Sequence, residues 1–141
     1  MKKVYLLSFL LLTLILVSCT MENNVDDYDL NVSGDNSELV EKSESISDIV
    51  VEEFGIDDAT TIVFNEYAII AVKIAYNEDI SQEHTEKITN KVLNYDRQVE
   101  EVLITDDSRT FKDIDNIVFD LLQGSDYKDY LDDINGIFNR L

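Results

Sequence analysis

The chain opens on a lysine pair and a run of aliphatic residues that stops at its one cysteine, and this decides where a fold can begin. Met1-Lys2-Lys3 is a short positive segment, and Val4 to Val17 is apolar except at Ser8 and Thr13. That run has the length of a signal-peptide core and falls short of the ~20 residues a spanning helix prefers. It closes on Leu16-Val17-Ser18-Cys19, an aliphatic residue, two small or β-branched residues and a cysteine. This is the lipobox pattern, in which cleavage before the cysteine leaves a thiol that carries diacylglycerol. An ordinary secretory signal with an incidental cysteine and an uncleaved anchor are the alternatives. The positive segment and apolar run placed directly before the pattern favour the lipoprotein. Residues 1–18 are therefore expected to be a signal peptide and Cys19 the lipidation site. The expected location is the extracytoplasmic face of the cell membrane, because two acyl chains anchor stably where one does not.

The cysteine's use as a lipid attachment point fits its count of 1: it can form no disulfide within the chain and no cysteine-based zinc site. Charge restricts the partners further. Lys and Arg number 11 against 30 Asp and Glu, a net charge of −19. Lys2 and Lys3 leave with the signal peptide, so 9 basic residues then face 30 acidic ones, a net −21. A phosphate polyanion would be repelled along most of this surface, which argues against nucleic acid as a partner. The apolar fraction of 45% is nonetheless enough for a packed core.

Residues 19–36 read as the lipidated cysteine and a tether. Glu22, Asp26, Asp27, Asp29 and Asp35 stand there with no Lys or Arg and no sustained hydrophobic period. A flexible coil of this length spans roughly 20–25 Å, and self-repulsion extends it further. Residues 37–141 read as one folded domain. Asp35 and Glu38 have the spacing of a capping box, and Leu39, Ser43, Ile46, Val50 and Phe54 form a helical stripe ending at Gly55. Thr60–Phe64 and Tyr67–Ile74 are β-branched and aromatic-rich, with Asn65-Glu66 as a tight hairpin turn between them. Ser81 caps a helix running to Tyr95, with Ile88, Val92 and Tyr95 inward. Val99–Thr105 is a third strand. Asp106-Asp107-Ser108 opens a helix with Phe111, Ile114, Val118, Leu121 and Leu122 inward and Gly124 after its end. Ser125 is expected to cap a last helix carrying Tyr127, Tyr130, Leu131, Ile134, Phe138 and Leu141.

The order αββαβαα, with one hairpin and one crossover, predicts an α+β two-layer sandwich on a three-stranded mixed sheet. The crossover makes the second and third strands parallel. The favoured strand order is 2-1-3, with the first strand in the middle, and direct pairing of the second and third strands is the alternative. Ile70, Val72, Val102, Ile104, Val118 and Leu121 are the expected core.

The stretches Ala68-Ile69-Ile70-Ala71-Val72-Lys73-Ile74, Ile88-Thr89-Asn90-Lys91-Val92 and Val99-Glu100-Glu101-Val102-Leu103-Ile104-Thr105-Asp106-Asp107, behind a lipobox and an acidic tether, resemble the YhcN/YlaJ family of sporulation lipoproteins. Ile117 to Gly124 and the terminal Ile137-Phe138-Asn139-Arg140-Leu141 extend the likeness, which covers residues 56–141. The resemblance implies a Gram-positive spore former, association with a spore or forespore membrane, and a role in spore formation or germination. It implies no catalytic residue and no cofactor.

The reactive groups point the same way. His84 lies beside Glu83 and Glu86 without a nucleophile pattern nearby, and reads as a surface histidine. Asp106, Asp107, Asp113 and Asp115 could offer oxygen ligands to Ca²⁺, but their spacing is not that of an EF-hand loop, and helix capping is the simpler reading. Asp126, Asp129, Asp132 and Asp133 read as a solvated face. No catalytic, cofactor or metal site and no small-molecule substrate is expected. The aromatics Tyr127, Tyr130 and Phe138 at helical spacing read first as core; with two C-terminal helices competing for one small sheet, they are also the candidate surface for an unidentified protein partner or for self-association. The alternative to a non-enzymatic protein acting by contact is an extracytoplasmic cation- or ligand-binding module, supported by the acidic excess alone.

The anchor is directly testable. Cys19→Ala should leave an unlipidated precursor that no longer enters the detergent phase on phase partitioning. A soluble mature form beginning several residues downstream of Cys19 would contradict the assignment.

Overall fold

The computed structural model describes residues 36–141. The signal peptide, Cys19, most of the tether and the expected cap at Asp35 lie outside the described residues. The elements are α1 (Asn36–Val51), β1 (Ile56–Phe64), β2 (Tyr67–Ile74), α2 (Gln82–Tyr95), β3 (Glu101–Thr105), α3 (Ser108–Leu122) and α4 (Leu131–Phe138). Short 3-10 turns occupy Ala75–Asn77 and Tyr127–Tyr130. The α+β class, the element order and the mixed three-stranded sheet are as the sequence predicts.

β1 and β2 form an antiparallel hairpin in which Phe64 pairs with Tyr67 and Thr61 with Ile70. Asn65 takes the left-handed conformation the turn requires, at φ 53°. β3 pairs in parallel with β2, from Tyr67 opposite Glu101 to Ala71 opposite Thr105. The turn carbonyl of Glu66 accepts hydrogen bonds from the Glu100 and Glu101 amides at 2.8 and 3.2 Å and so sets the start of β3.

The observed strand order is β1-β2-β3, which corrects the expected 2-1-3 order. The reason lies at the outer edge of β1. Helix α1 lies along that strand, and the Val63 amide donates to the Ser43 hydroxyl at 3.2 Å. The Val63 carbonyl accepts from the Tyr127 hydroxyl at 2.7 Å. With these edge groups already paired, the crossover strand has the far edge of β2 to join. β2 is accordingly the central strand, and Ala68 to Val72 are all buried.

Helices cover both faces of the sheet, whereas a two-layer arrangement leaves one face open. Ile62, Phe64, Ile69 and Ala71 pack on one side against Phe111, Ile114, Ile117 and Leu121 of α3 and Ile134 and Ile137 of α4. Val63, Ala68, Ile70 and Val72 pack on the other against Ile46 and Val50 of α1 and Ile88 and Val92 of α2. The period-2 alternation of the strands thus feeds two separate cores. Of the six expected core residues, Ile70, Val72 and Leu121 are buried. Val102, Ile104 and Val118 are half-buried, because β3 is an edge strand and Val118 sits at the margin of α3.

Helix limits follow the capping chemistry. The Ser81 side chain accepts from the His84 amide and begins α2, and Asp107 accepts from the Thr110 amide and begins α3. Gly55 and Gly124, at φ +91° and +98°, follow the ends of α1 and α3 in the conformation that favours glycine. The last segment departs from expectation. Asp126, rather than Ser125, caps a 3-10 turn, and the regular helix starts only at Leu131. Phe54, Tyr95 and Leu122, expected inward, are exposed. Phe54 lies past the end of α1, and Tyr95 is the last residue of α2.

The Val63 edge should be sensitive to single-atom changes. Ser43→Ala and Tyr127→Phe each strand one buried backbone group and should each cost about 1–3 kcal/mol in urea unfolding. Thr61→Val removes a buried hydroxyl that has no partner among the described residues, keeps the shape, and should be neutral or stabilising.

Candidate functional site

The surface feature with the chemistry of a binding site is an open groove of about 370 Å³ between α1 and α3, beside the first half of β1. On α3 it is lined by Asp115, Val118, Phe119 and Leu122, which share one face at i, i+3, i+4 and i+7. This stripe lies one step round the helix from the buried stripe of Phe111, Ile114, Ile117 and Leu121. On α1 the lining is Glu44, Ser47 and Asp48. Ala59 and Thr60 of β1 lie between the helices.

The groove combines an apolar strip on α3 with acidic side chains from both helices. Phe119 and Leu122 are 60% and 49% exposed although both are large and apolar. Glu44, Asp48 and Asp115 stand around them, and no Lys or Arg lines the groove. None of the three carboxylates has an ion pair or hydrogen bond among the described residues. Cations are placed elsewhere. Lys42 pairs with Asp96 at 3.1 Å, Lys73 with Asp58 at 2.7 Å and Lys91 with Glu52 at 3.0 Å. Lys87 is shared between Glu83 and Glu53; bonded to both, its ammonium is held above the ordinary lysine range, and Glu83 is held below the carboxylate range by the same contact.

The residues singled out from the sequence have other placements. Tyr127 is 2% exposed with its hydroxyl on Val63, and burial pushes that hydroxyl well above the ordinary phenol range. Tyr130 is half-buried and donates to Asp120 at 2.9 Å. Phe138 is half-buried, edge-on to Tyr67 with ring centres 4.9 Å apart. These three do not form one exposed stripe: the 3-10 turn breaks the helical spacing that was to align them, and Tyr127 is held inside the fold.

His84 holds a loop. Its ring nitrogens lie 3.1 Å from the Ser81 hydroxyl and 3.1 Å from the Phe54 carbonyl, tying the start of α2 to the loop before Gly55. The four aspartates of the β3–α3 region are likewise dispersed. Asp106 accepts from the Ile80 amide at 2.8 Å, Asp113 pairs with Arg140 at 2.8 Å, and Asp115 lies on the groove rim. Among the described residues no three His, Cys, Asp or Glu are grouped to hold a metal ion. Asp126, Asp129, Asp132 and Asp133 are all exposed. Among the same residues no helix is long and apolar enough to cross a membrane.

The groove was not anticipated. Its signal in the sequence is Phe119, a large apolar residue off the inward stripe, four residues after Asp115 and three before Leu122. The second wall comes from α1, far away in the chain.

The cap at Asp107 gives a pH-dependent expectation. Hydrogen bonds from the Thr110 amide and hydroxyl hold its carboxyl below the ordinary aspartate range. A depressed folded-state value stabilises above the unfolded value and is lost as pH falls through the folded one. Asp107→Ala should therefore lower the melting temperature at neutral pH, and the deficit should shrink as pH falls below the ordinary aspartate range and the parent's carboxylate protonates. Parallel thermal melts across that range check it.

No curated protein matches the chain. The family described as sporulation lipoprotein YhcN/YlaJ matches residues 18–141, a stretch that takes in Cys19 and the whole of the described fold. The acidic, lipobox-led chain with this αββαβαα domain belongs to the YhcN/YlaJ family of sporulation lipoproteins, whose lipid implies membrane anchoring.

Proposed function

We propose that this sporulation lipoprotein is held through Cys19 on the extracytoplasmic face of a spore or forespore membrane. There it acts by protein–protein contact in spore formation or germination, with no chemistry of its own. The observation that carries the reading is the apolar strip of Phe119 and Leu122, left exposed beside a sheet with helices on both faces and framed by three carboxylates. An exposed apolar patch rimmed by polar residues is the mark of an interaction surface. The ionisable groups with displaced equilibria have structural duties: Asp107 caps a helix, Tyr127 closes a strand edge, and Glu83 and Lys87 pair on the surface of α2.

The anchor and the tether complete the arrangement. In this reading the acidic segment after Cys19 links the anchor to the domain, which then meets other proteins on the same membrane. The test is genetic. Deleting the gene in the spore former should impair spore formation or germination. The full-length gene should restore it, and the Cys19→Ala version should not. A deletion without effect removes the role, and full rescue by Cys19→Ala removes the requirement for the anchor.

A further inference from the structure

We propose that the groove between α1 and α3 receives a short cationic amphipathic segment of a partner protein. Its apolar side chains seat on Val118, Phe119 and Leu122, and its Lys or Arg side chains meet Glu44, Asp48 and Asp115. This rests on the contact-based function above and names the chemistry of the contact.

The exposed strip on α3 sets the apolar half of the requirement. The buried stripe of α3 already fills one core, so Phe119 and Leu122 are additional to what the fold needs. At about 370 Å³ the groove lies near the small end of the ~300–1,000 Å³ range of ligand pockets. It has room for a few anchor side chains of one helix or strand, which is the way amphipathic segments dock, with anchors at i, i+3, i+4 and i+7.

The rim sets the sign. Its three carboxylates, like most acidic groups among the described residues, have no cation of their own, and no Lys or Arg lines the groove to neutralise them. The chain's own tether is a poor occupant, because residues 20–36 carry five acidic residues and no basic one. A second copy with net −21 brings mainly like charge to the rim. A neutral apolar ligand leaves the rim unmatched. A basic amphipathic segment satisfies strip and rim together, and rim charges steer its approach and select against acidic competitors.

The probe is a fluorescent helical peptide with leucines on one face and flanking lysines, titrated by anisotropy into the full mature chain carrying Cys19→Ser. A matched peptide with glutamates for the lysines is the comparison. Saturable binding of the lysine peptide alone is expected, with amide chemical-shift changes centred on Val118–Leu122. Glu44→Gln combined with Asp48→Asn and Asp115→Asn should weaken it about tenfold at low salt, as three exposed ion pairs would, and the gap should close at high salt. Phe119→Ala with Leu122→Ala should weaken binding at both salt concentrations, with an unchanged melting temperature as the check on folding. Equal binding of the glutamate peptide, undiminished binding by the triple variant, or shifts mapping to another face overturns the proposal. If the lysine peptide fails to bind while the deletion still impairs spore formation or germination, the groove proposal falls and the role in the spore stands. If the deletion has no effect, the role falls independently of what the peptide does.

Discussion

The outer edge of β1 is the constraint on which the remaining architecture depends. An edge strand presents backbone donors and acceptors that must be paired or solvated, and an open edge invites another chain. Here the Val63 amide meets the Ser43 hydroxyl and the Val63 carbonyl meets the Tyr127 hydroxyl. The two partners come from opposite ends of the domain, one from the helix before β1 and one from the turn after α3. A polar residue within the apolar stripe of α1 and a tyrosine inside the core are therefore explained by the same strand. Asn36 reinforces the closure, with its side-chain carbonyl accepting from the Tyr127 amide at 3.3 Å. Closing that edge confines the crossover strand to the far side of β2 and puts the most apolar strand in the centre.

A second consequence is the division of labour among the helices. α1 touches both cores, through Val40 on the α3 side and through Ile46 and Val50 on the α2 side. A helix that bridges two layers at a strand edge leaves a trough against its neighbour on one side. That trough is the groove lined by Phe119 and Leu122. The groove is thus a by-product of how the sheet edge is closed. The acidic excess adds its sign: with few cations available, several are matched to carboxylates in the loop after α1, on or just after α2 and on β1, and no Lys or Arg lines the groove.

Local features were readable where a short-range rule governs them. Asn65-Glu66 between two β-branched runs gives the hairpin, Ser81 and Asp107 cap their helices, and Gly124 follows the end of α3 at positive φ, whereas α1 ends at Val51, four residues before Gly55. Each depends on residues within a few positions of one another. Reading Tyr127, Tyr130 and Phe138 as one helical stripe failed for a reason equally local. Asp126 accepts from the Lys128 amide at 3.0 Å and starts a 3-10 turn, whose three-residue period does not carry a 3.6-residue stripe forward.

Hydrophobic period, capping residues and turn chemistry settled the element order and the mixed sheet, and the lipobox and tether pointed to the family. Those properties are written in neighbouring residues, because hydrogen bonds within helices and tight turns close over three or four positions. Strand order, the placing of helices on both faces, the burial of Tyr127 and the groove were decided by the tertiary structure. They depend on which backbone groups of β1 remain to be paired once α1 has docked. The residues that pair them, Ser43 and Tyr127, stand 20 and 64 positions from Val63, so only the assembled chain brings them within hydrogen-bond reach.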